Sequence, residues 1–334
     1  MTKLSILDLV RVRENGTPLS ALEDSRSLAL HAETLGFERF WVAEHHNMPG
    51  IASAATSVVI GYLAEATSRI RIGAGGIMLP NHAPIVIAEQ FGTLAQLYPG
   101  RIDLGLGRAP GTDQPTMRAL RRSLANSDNF PQDVMELKAY FASVQQPGQI
   151  QAVPAAGTEV PLWILGSSTY GAQLAAHLGL PYGFASHFAP DLLGDALAIY
   201  RARFQPSAQG ARPYAMVGVN IIAAESDAEA RRLATTQQMS FTNLFRGTRG
   251  LSQPPIDDIE DYWSPIEKAQ AQRMLARSIV GSPETVRAGL ESLVAETAAD
   301  ELMIVSDIYD LGARKRSLEI VAESLRPVRD GLAA

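Results

Sequence analysis

The stretch Gly100-Arg101-Ile102-Asp103-Leu104-Gly105-Leu106-Gly107-Arg108-Ala109-Pro110-Gly111 decides how the rest of the chain is read. Pro99-Gly100 makes a turn. Residues 102–106 then alternate apolar side chains with Asp103 and Gly105, the period of a strand. The strand breaks at Gly107, Arg108, Ala109, Pro110 and Gly111. A glycine at a strand end lets a backbone or a ligand approach closely, because no Cβ stands in the way. An arginine there offers a planar fork of donors suited to a carboxylate, a phosphate or a ring edge. The alternative is a plain strand end whose Arg108 is a solvated surface charge.

Other segments end in the same manner. A strand over 4–9 carries Asp8 near its end, and one over 39–42 runs into Ala43-Glu44-His45-His46-Asn47. One over 70–73 ends in Ala74-Gly75-Gly76-Ile77-Met78-Leu79-Pro80. A fifth, 161–165, stops at Gly166-Ser167-Ser168-Thr169-Tyr170-Gly171, and a sixth, 182–185, at Ser186-His187. Strands over 214–223 and 301–305 complete the set. Helical spacing fills the intervals: 20–35 closed by Gly36, 54–66, 84–97, 116–124 as an extra helix, and 133–143. It continues around Leu174 and Leu178, then over 190–204, 283–297 and 313–326. The regular beat is interrupted at 225–281, where helical material over 228–245 and 265–276 flanks a polar, Gly/Pro-rich run at 246–262. That run is expected to be a mobile loop, of the kind that serves as a lid.

Eight strands alternating with helices predict a parallel sheet. In 334 residues they predict a (β/α)₈ TIM barrel over 1–334, with the 225–281 insertion before strand eight. An open doubly wound sheet with a dinucleotide would need Gly-x-Gly-x-x-Gly, and neither Gly73-Ala-Gly75-Gly-Ile-Met nor Gly105-Leu-Gly107-Arg-Ala-Pro fits it. Only 19% of residues are charged and 46% are hydrophobic, which places the chain among globular proteins. The net charge of −6 gives no reason to expect nucleic acid or an anionic membrane as partner. The absence of cysteine excludes disulfides, thiolate metal sites and a cysteine nucleophile. No signal-peptide pattern or bilayer-length apolar run is seen, so a cytoplasmic enzyme is expected.

In such a barrel the loops after the strands form the active face. Gly166-Ser167-Ser168 opens a helix, where free N–H groups favour an anion; a simple N-cap serine is the competing reading. Gly75-Gly76 offers flat backbone for a planar ligand, or else a bulge. Successive side chains on a strand point to opposite faces, so His45 and His46 make a poor chelating pair and no metal is expected. An inward histidine acting as acid, base or donor fits better, with a structural histidine as the alternative. Asp8, Asn47 and His187 are further candidates to face a substrate. A pyridoxal enzyme would need a lysine at a strand end, whereas Lys3, Lys138, Lys268 and Lys315 lie at the terminus or on helices. Glycine-rich strand ends, a phosphate cradle and an arginine describe a site for a phosphorylated planar cofactor such as FMN.

Glu44-His45-His46-Asn47, the segment from Gly75 to Pro80, Ala88-Glu89-Gln90, Pro99 to Arg108 and Gly179-Leu180-Pro181 resemble the bacterial luciferase-like flavin monooxygenases over nearly the whole chain. Gly-Arg-Ala-Pro-Gly after strand four is similar to their single-subunit FMN-dependent branch. The resemblance implies a homodimeric (β/α)₈ barrel that uses reduced FMN and O₂ on a small organic substrate, with the reductase supplied separately. It implies a non-prolyl cis peptide at Gly75-Gly76 beneath the flavin ring, with Ile77 beside it. Arg108 and Ser168 take the place of the phosphate ligands, with Ser167 and Tyr170 nearby, and His45 that of the histidine near the reacting edge. The 225–281 insertion takes the place of the lid. The reactive cysteine of the luciferases is Gly107 here, which argues against light emission. Relatives that use the deazaflavin F420 share the fold, and a non-catalytic FMN storage protein is a further alternative.

Overall fold

A computed structural model describes residues 2–109, 113–122, 128–142 and 150–325. The expected turn residues 110 and 111, and the expected helix ends at 123–124, 143 and 326, lie outside the described residues. In chain order the elements begin with β1 (Lys3–Asp8), α1 (Pro18–Leu35), β2 (Arg39–Val42), α2 (Thr56–Ala66), β3 (Arg71–Met78) and α3 (Pro84–Leu97). They continue with β4 (Ile102–Gly107), α4 (Gln114–Ala119), α5 (Phe130–Phe141), β5 (Leu162–Gly166), α6 (Thr169–Leu178), β6 (Tyr182–Phe184) and α7 (Leu193–Arg203). Then come β7 (Ala215–Ala223), α8 (Asp227–Arg246), α9 (Pro265–Met274), β8 (Ile279–Gly281), α10 (Pro283–Thr297), β9 (Glu301–Val305) and α11 (Leu311–Ser324).

Strands β1 to β7 pair in sequence order, β7 pairs with β9, and β9 pairs back to β1, all in parallel. The result is a closed eight-stranded (β/α)₈ barrel. The short β8 stands outside it, paired with the overhanging end of β7 through Ile221↔Ile279 and Ala223↔Gly281. Strand alternation sorts the core into two layers. On β1 and β2, Ile6, Phe40 and Val42 face the helices, while Leu7 and Trp41 face the barrel axis. Trp163 on β5 joins them inside and meets Trp41 edge-on at 5.2 Å.

The N-terminal end of the barrel is closed by charge rather than by hydrocarbon. Asp103, inward on β4, accepts from Arg39 Nη1 at 2.7 Å and Arg71 Nη2 at 2.6 Å. Arg39 Nε reaches Glu301 Oε1 at 3.1 Å, and Tyr214 donates to Glu301 Oε2 at 2.8 Å. Burial alone would lower the pKa of Arg39, but the two carboxylates outweigh it and raise it. Every member of this plug has a partner, which is the condition for burying charge without large loss. The plug leaves the opposite end, where the strands terminate, for chemistry.

Above that end the early loops form a small ladder. Val12 N–H donates to Gly50 O and Ala52 N–H to Val10 O. Residues from the insertion join it: Ser252 N–H donates to Val12 O at 2.9 Å and Glu14 N–H to Ser252 O at 2.8 Å. Gly50 permits this, since a Cβ there would overlap the carbonyl of Gly250. Residues 248–252 thus cross the mouth as a strap.

Candidate active site

Because all eight barrel strands run in parallel, Asp8, Glu44 to Asn47, Arg108, Ser167, Ser168 and His187 all stand at one mouth. Gly75 and Gly76 differ from expectation in one respect: they lie within β3, which continues to Met78 rather than ending at 73. Their peptide bond is cis, and the register with β4 shifts between Gly75 and Ile77. The missing Cβ atoms are demanded by the barrel interior. A Cβ on Gly75 would stand 2.8 Å from Leu7 Cδ1, and one on Gly76 would stand 2.7 Å from the Gly105 carbonyl oxygen.

Glu44 is the hub behind this segment. It is buried, and its carboxylate accepts from His46 Nε2 at 2.7 Å, His82 Nε2 at 2.9 Å, Asn81 Nδ2 at 3.2 Å and the Met78 N–H at 2.8 Å. Burial pushes the carboxyl up, but the imidazole bonds, the charge of His82 and the Met78 N–H outweigh it and hold the pKa at about 2. The bond to Glu44 raises the pKa of His46 against the opposing effect of burial. His46 therefore turns to Glu44 while His45 turns elsewhere, both from the loop that follows β2.

His45 has its Nδ1 buried with no partner among the described residues. Burial, reinforced by Arg11, lowers its pKa to about 4. Burial does the same for His187, whose pKa falls to about 4 with a further push from His45. The two imidazoles, delivered by β2 and β6, therefore sense one another and are neutral at pH 7. His187 Nδ1 lies against Gly218, where any side chain would collide with it.

On the other side of the mouth, the Arg108 guanidinium sits 4.1 Å from the centre of the Tyr170 ring, on the first turn of α6. Ser168 is the N-cap of that helix, yet its hydroxyl makes no capping bond. Thr17, Ser226, Ser264 and Ser282 all cap their own helices. The Tyr182 hydroxyl donates to the Ser168 carbonyl at 3.1 Å and fixes the backbone there. The start of α6 thus brings together a hydroxyl that makes no capping bond, the N–H groups of a first helical turn and a nearby cation, a donor set of the kind that can hold an anion.

Asp8 and Asn47 are tied to the scaffold. Asp8 is fully buried, and its Oδ1 accepts from Arg314 Nη2 at 2.9 Å and from the Val10 N–H. Asn47, with φ of 54°, donates to Asp113 Oδ2 at 3.1 Å, and Asp113 caps α4. Sequence reasoning missed His82, Arg314 and Arg11. His82 and Arg314 have no local signal, since each meets its carboxylate only through the fold. Arg11 was marked solely by lying just beyond a strand end.

The fold is a closed parallel (β/α)₈ barrel whose strand-end loops gather these residues at one mouth. A family profile described as luciferase-like monooxygenase matches residues 2–301. A curated relative from Escherichia coli K12, "Luciferase-like monooxygenase", is 53% identical over 320 residues, covering 96% of each chain. The crystal structure of apo-MsnO8 is 37% identical, with a TM-score of 0.90 over 97% of this chain and 98% of that one. Two more distant structures share the fold alone. One is the oxygenating constituent of 3,6-diketocamphane monooxygenase from Pseudomonas putida in complex with FMN, at 17% identity and TM-score 0.72, covering 96% and 97%. The other is an F420-dependent secondary alcohol dehydrogenase at 16% identity and TM-score 0.72, covering 98% and 99%. This chain belongs to the luciferase-like monooxygenase family.

Proposed function

We propose that this protein binds FMN across the mouth of the barrel and uses the reduced form with O₂ to oxygenate a small organic substrate. The observation that carries this reading is the start of α6, where Ser168 makes no capping bond and Arg108 lies over Tyr170. An uncapped helix start beside a guanidinium fits a phosphate monoester. The residues present fit the rest of the cofactor as well. Gly75 and Gly76 form a backbone step without side chains between the phosphate end and His45, with Ile77 packed beside it, and Ser167 and Tyr170 flank the anion. When bound, reduced FMN supplies the two electrons with which O₂ is cleaved, one oxygen going to the substrate and one to water.

In this reading His45 holds or moves a proton at its ring nitrogens close to the reacting edge. A neutral imidazole can accept and donate in turn, which a charged one cannot. His187 borders the substrate, Asp8 is held by Arg314 in the scaffold behind the mouth, and Asn47 fixes the loop that carries His45. The insertion over 225–281 is the cover that opens for exchange and excludes water when shut. The protein works in the cytoplasm as a homodimer, and a separate flavin reductase supplies the reduced cofactor, consistent with the lack of a dinucleotide fingerprint.

The test is a titration of the purified protein with oxidised FMN, reduced FMN and F420, followed by O₂ and product analysis. Tighter binding of reduced FMN and slowed flavin reoxidation with an oxygenated product support the proposal. Tight binding of oxidised FMN with no product identifies a storage protein, and binding of F420 alone identifies a deazaflavin dehydrogenase.

A further inference from the structure

Beneath the strap lies a cavity of about 100 Å³. Met48 and Ile51 from the loop after β2, and Phe241 and Leu244 from α8, give it apolar walls. Two guanidiniums, Arg11 and Arg249, line the same space. Arg11 spends one donor on Asp307 Oδ2 at 2.7 Å, while its Nε is buried with no acceptor among the described residues. Arg249 makes no hydrogen bond or ion pair among the described residues. Two cations thus line one small cleft, Arg249 from its exposed side, and no carboxylate is among the lining residues. The charge of both is felt at His45, so the cleft adjoins the mouth described above.

The Arg11 side chain is partly exposed and Arg249 has no acceptor among the described residues, so their guanidinium donors are open to a ligand in the cleft. A carboxylate suits them best, because its two oxygens match the fork of donors. The apolar walls suit a hydrocarbon chain and repel a second charge. We propose that this cleft binds the carboxylate end of a small organic monoacid with a short apolar chain, which sets its other end toward His45. This substrate class rests on the oxygenase reading given above.

The test is calorimetry with hexanoate and hexanamide, which share a shape and differ in charge, on protein with and without FMN. Hexanoate should bind at least about ten-fold more tightly than hexanamide, the usual worth of a charge-assisted contact. Arg249→Met should erase most of that preference, and Arg11→Lys, which keeps a charge for Asp307 but loses the fork, should reduce it. Both variants should melt near the wild-type temperature and titrate FMN as the wild type does. Equal binding of the two ligands, binding of neither, or a preference that survives both variants would overturn the proposal. Failure of the oxygenase reading would show separately, as absence of FMN binding while the preference for hexanoate stands.

Discussion

His82 Nε2 spans both oxygens of Glu44, at 2.9 Å from Oε1 and 3.0 Å from Oε2. A carboxylate only accepts, so Nε2 carries the proton. The bond ties the loop after β2 to the segment after β3 and encloses the Gly75-Gly76 step between them. Glu44→Ala would leave the His82 imidazole and the Met78 N–H without their acceptor. It should destabilise the protein by about 3–5 kcal/mol, as breaking a buried pair does. Urea denaturation of the variant checks this.

Protonation should do by degrees what the mutation does at once. The Glu44 pKa is lowered from 4.5 to about 2, so its stabilisation is present above about pH 4.5 and is lost as pH falls through the folded value. The His46 pKa is raised above 6.5, so its stabilisation is present below that pH and is lost as pH rises through the folded value. The pair therefore contributes most between these limits. Melting temperatures from pH 3 to 8 should fall more steeply on the acid side in the wild type than in Glu44→Gln.

His45, at about 4, is neutral across the working range. Product formation should therefore show no ionisation of His45 between pH 6 and 8. His45→Ala should leave FMN affinity within a few-fold of wild type while product formation is abolished. Parallel flavin titrations and product assays decide it; an equal loss of both would remove the residue from the chemistry.

In the proposed reading Arg108 meets the phosphate of FMN. The wild type should prefer FMN to riboflavin, and Arg108→Ala should weaken FMN about ten-fold or more while leaving riboflavin unchanged. Fluorescence titrations with the two flavins measure the difference. Equal weakening of both would assign the guanidinium to the ring through its stack on Tyr170.

The eight barrel strands were legible in the chain because alternation and turn residues mark them directly. The limits of legibility are physical. Gly75 and Gly76 read as a strand end, yet β3 runs through them, because a backbone without side chains still carries the ladder. Strand β8 is three residues long, too short for a period to show. Asp103 stood out only as a polar residue in an apolar strand, and its partner Arg39 lies 64 residues away, with Glu301 a further step across the barrel. The cis peptide at Gly75-Gly76 is implied by resemblance and seen in the fold, whereas spacing alone leaves a bulge open there and a surface charge at Arg108. The polar run at 246–262 reads as a mobile loop; its contacts are set by the fold, where Ser252 joins the backbone ladder with Val12 and Glu14 and Tyr262 donates to Asn243 Oδ1 at 2.9 Å.

The register of β1 with β9, from Lys3↔Glu301 to Ile6↔Ile304, has a consequence for biosynthesis. The first strand made cannot find its second neighbour until the last strand has left the ribosome. Until then β1 and β7 each present a bare edge, the template on which nascent chains stick to one another. Chaperone dependence during translation follows, and a chain cut before Glu301 should aggregate rather than form a seven-stranded remnant.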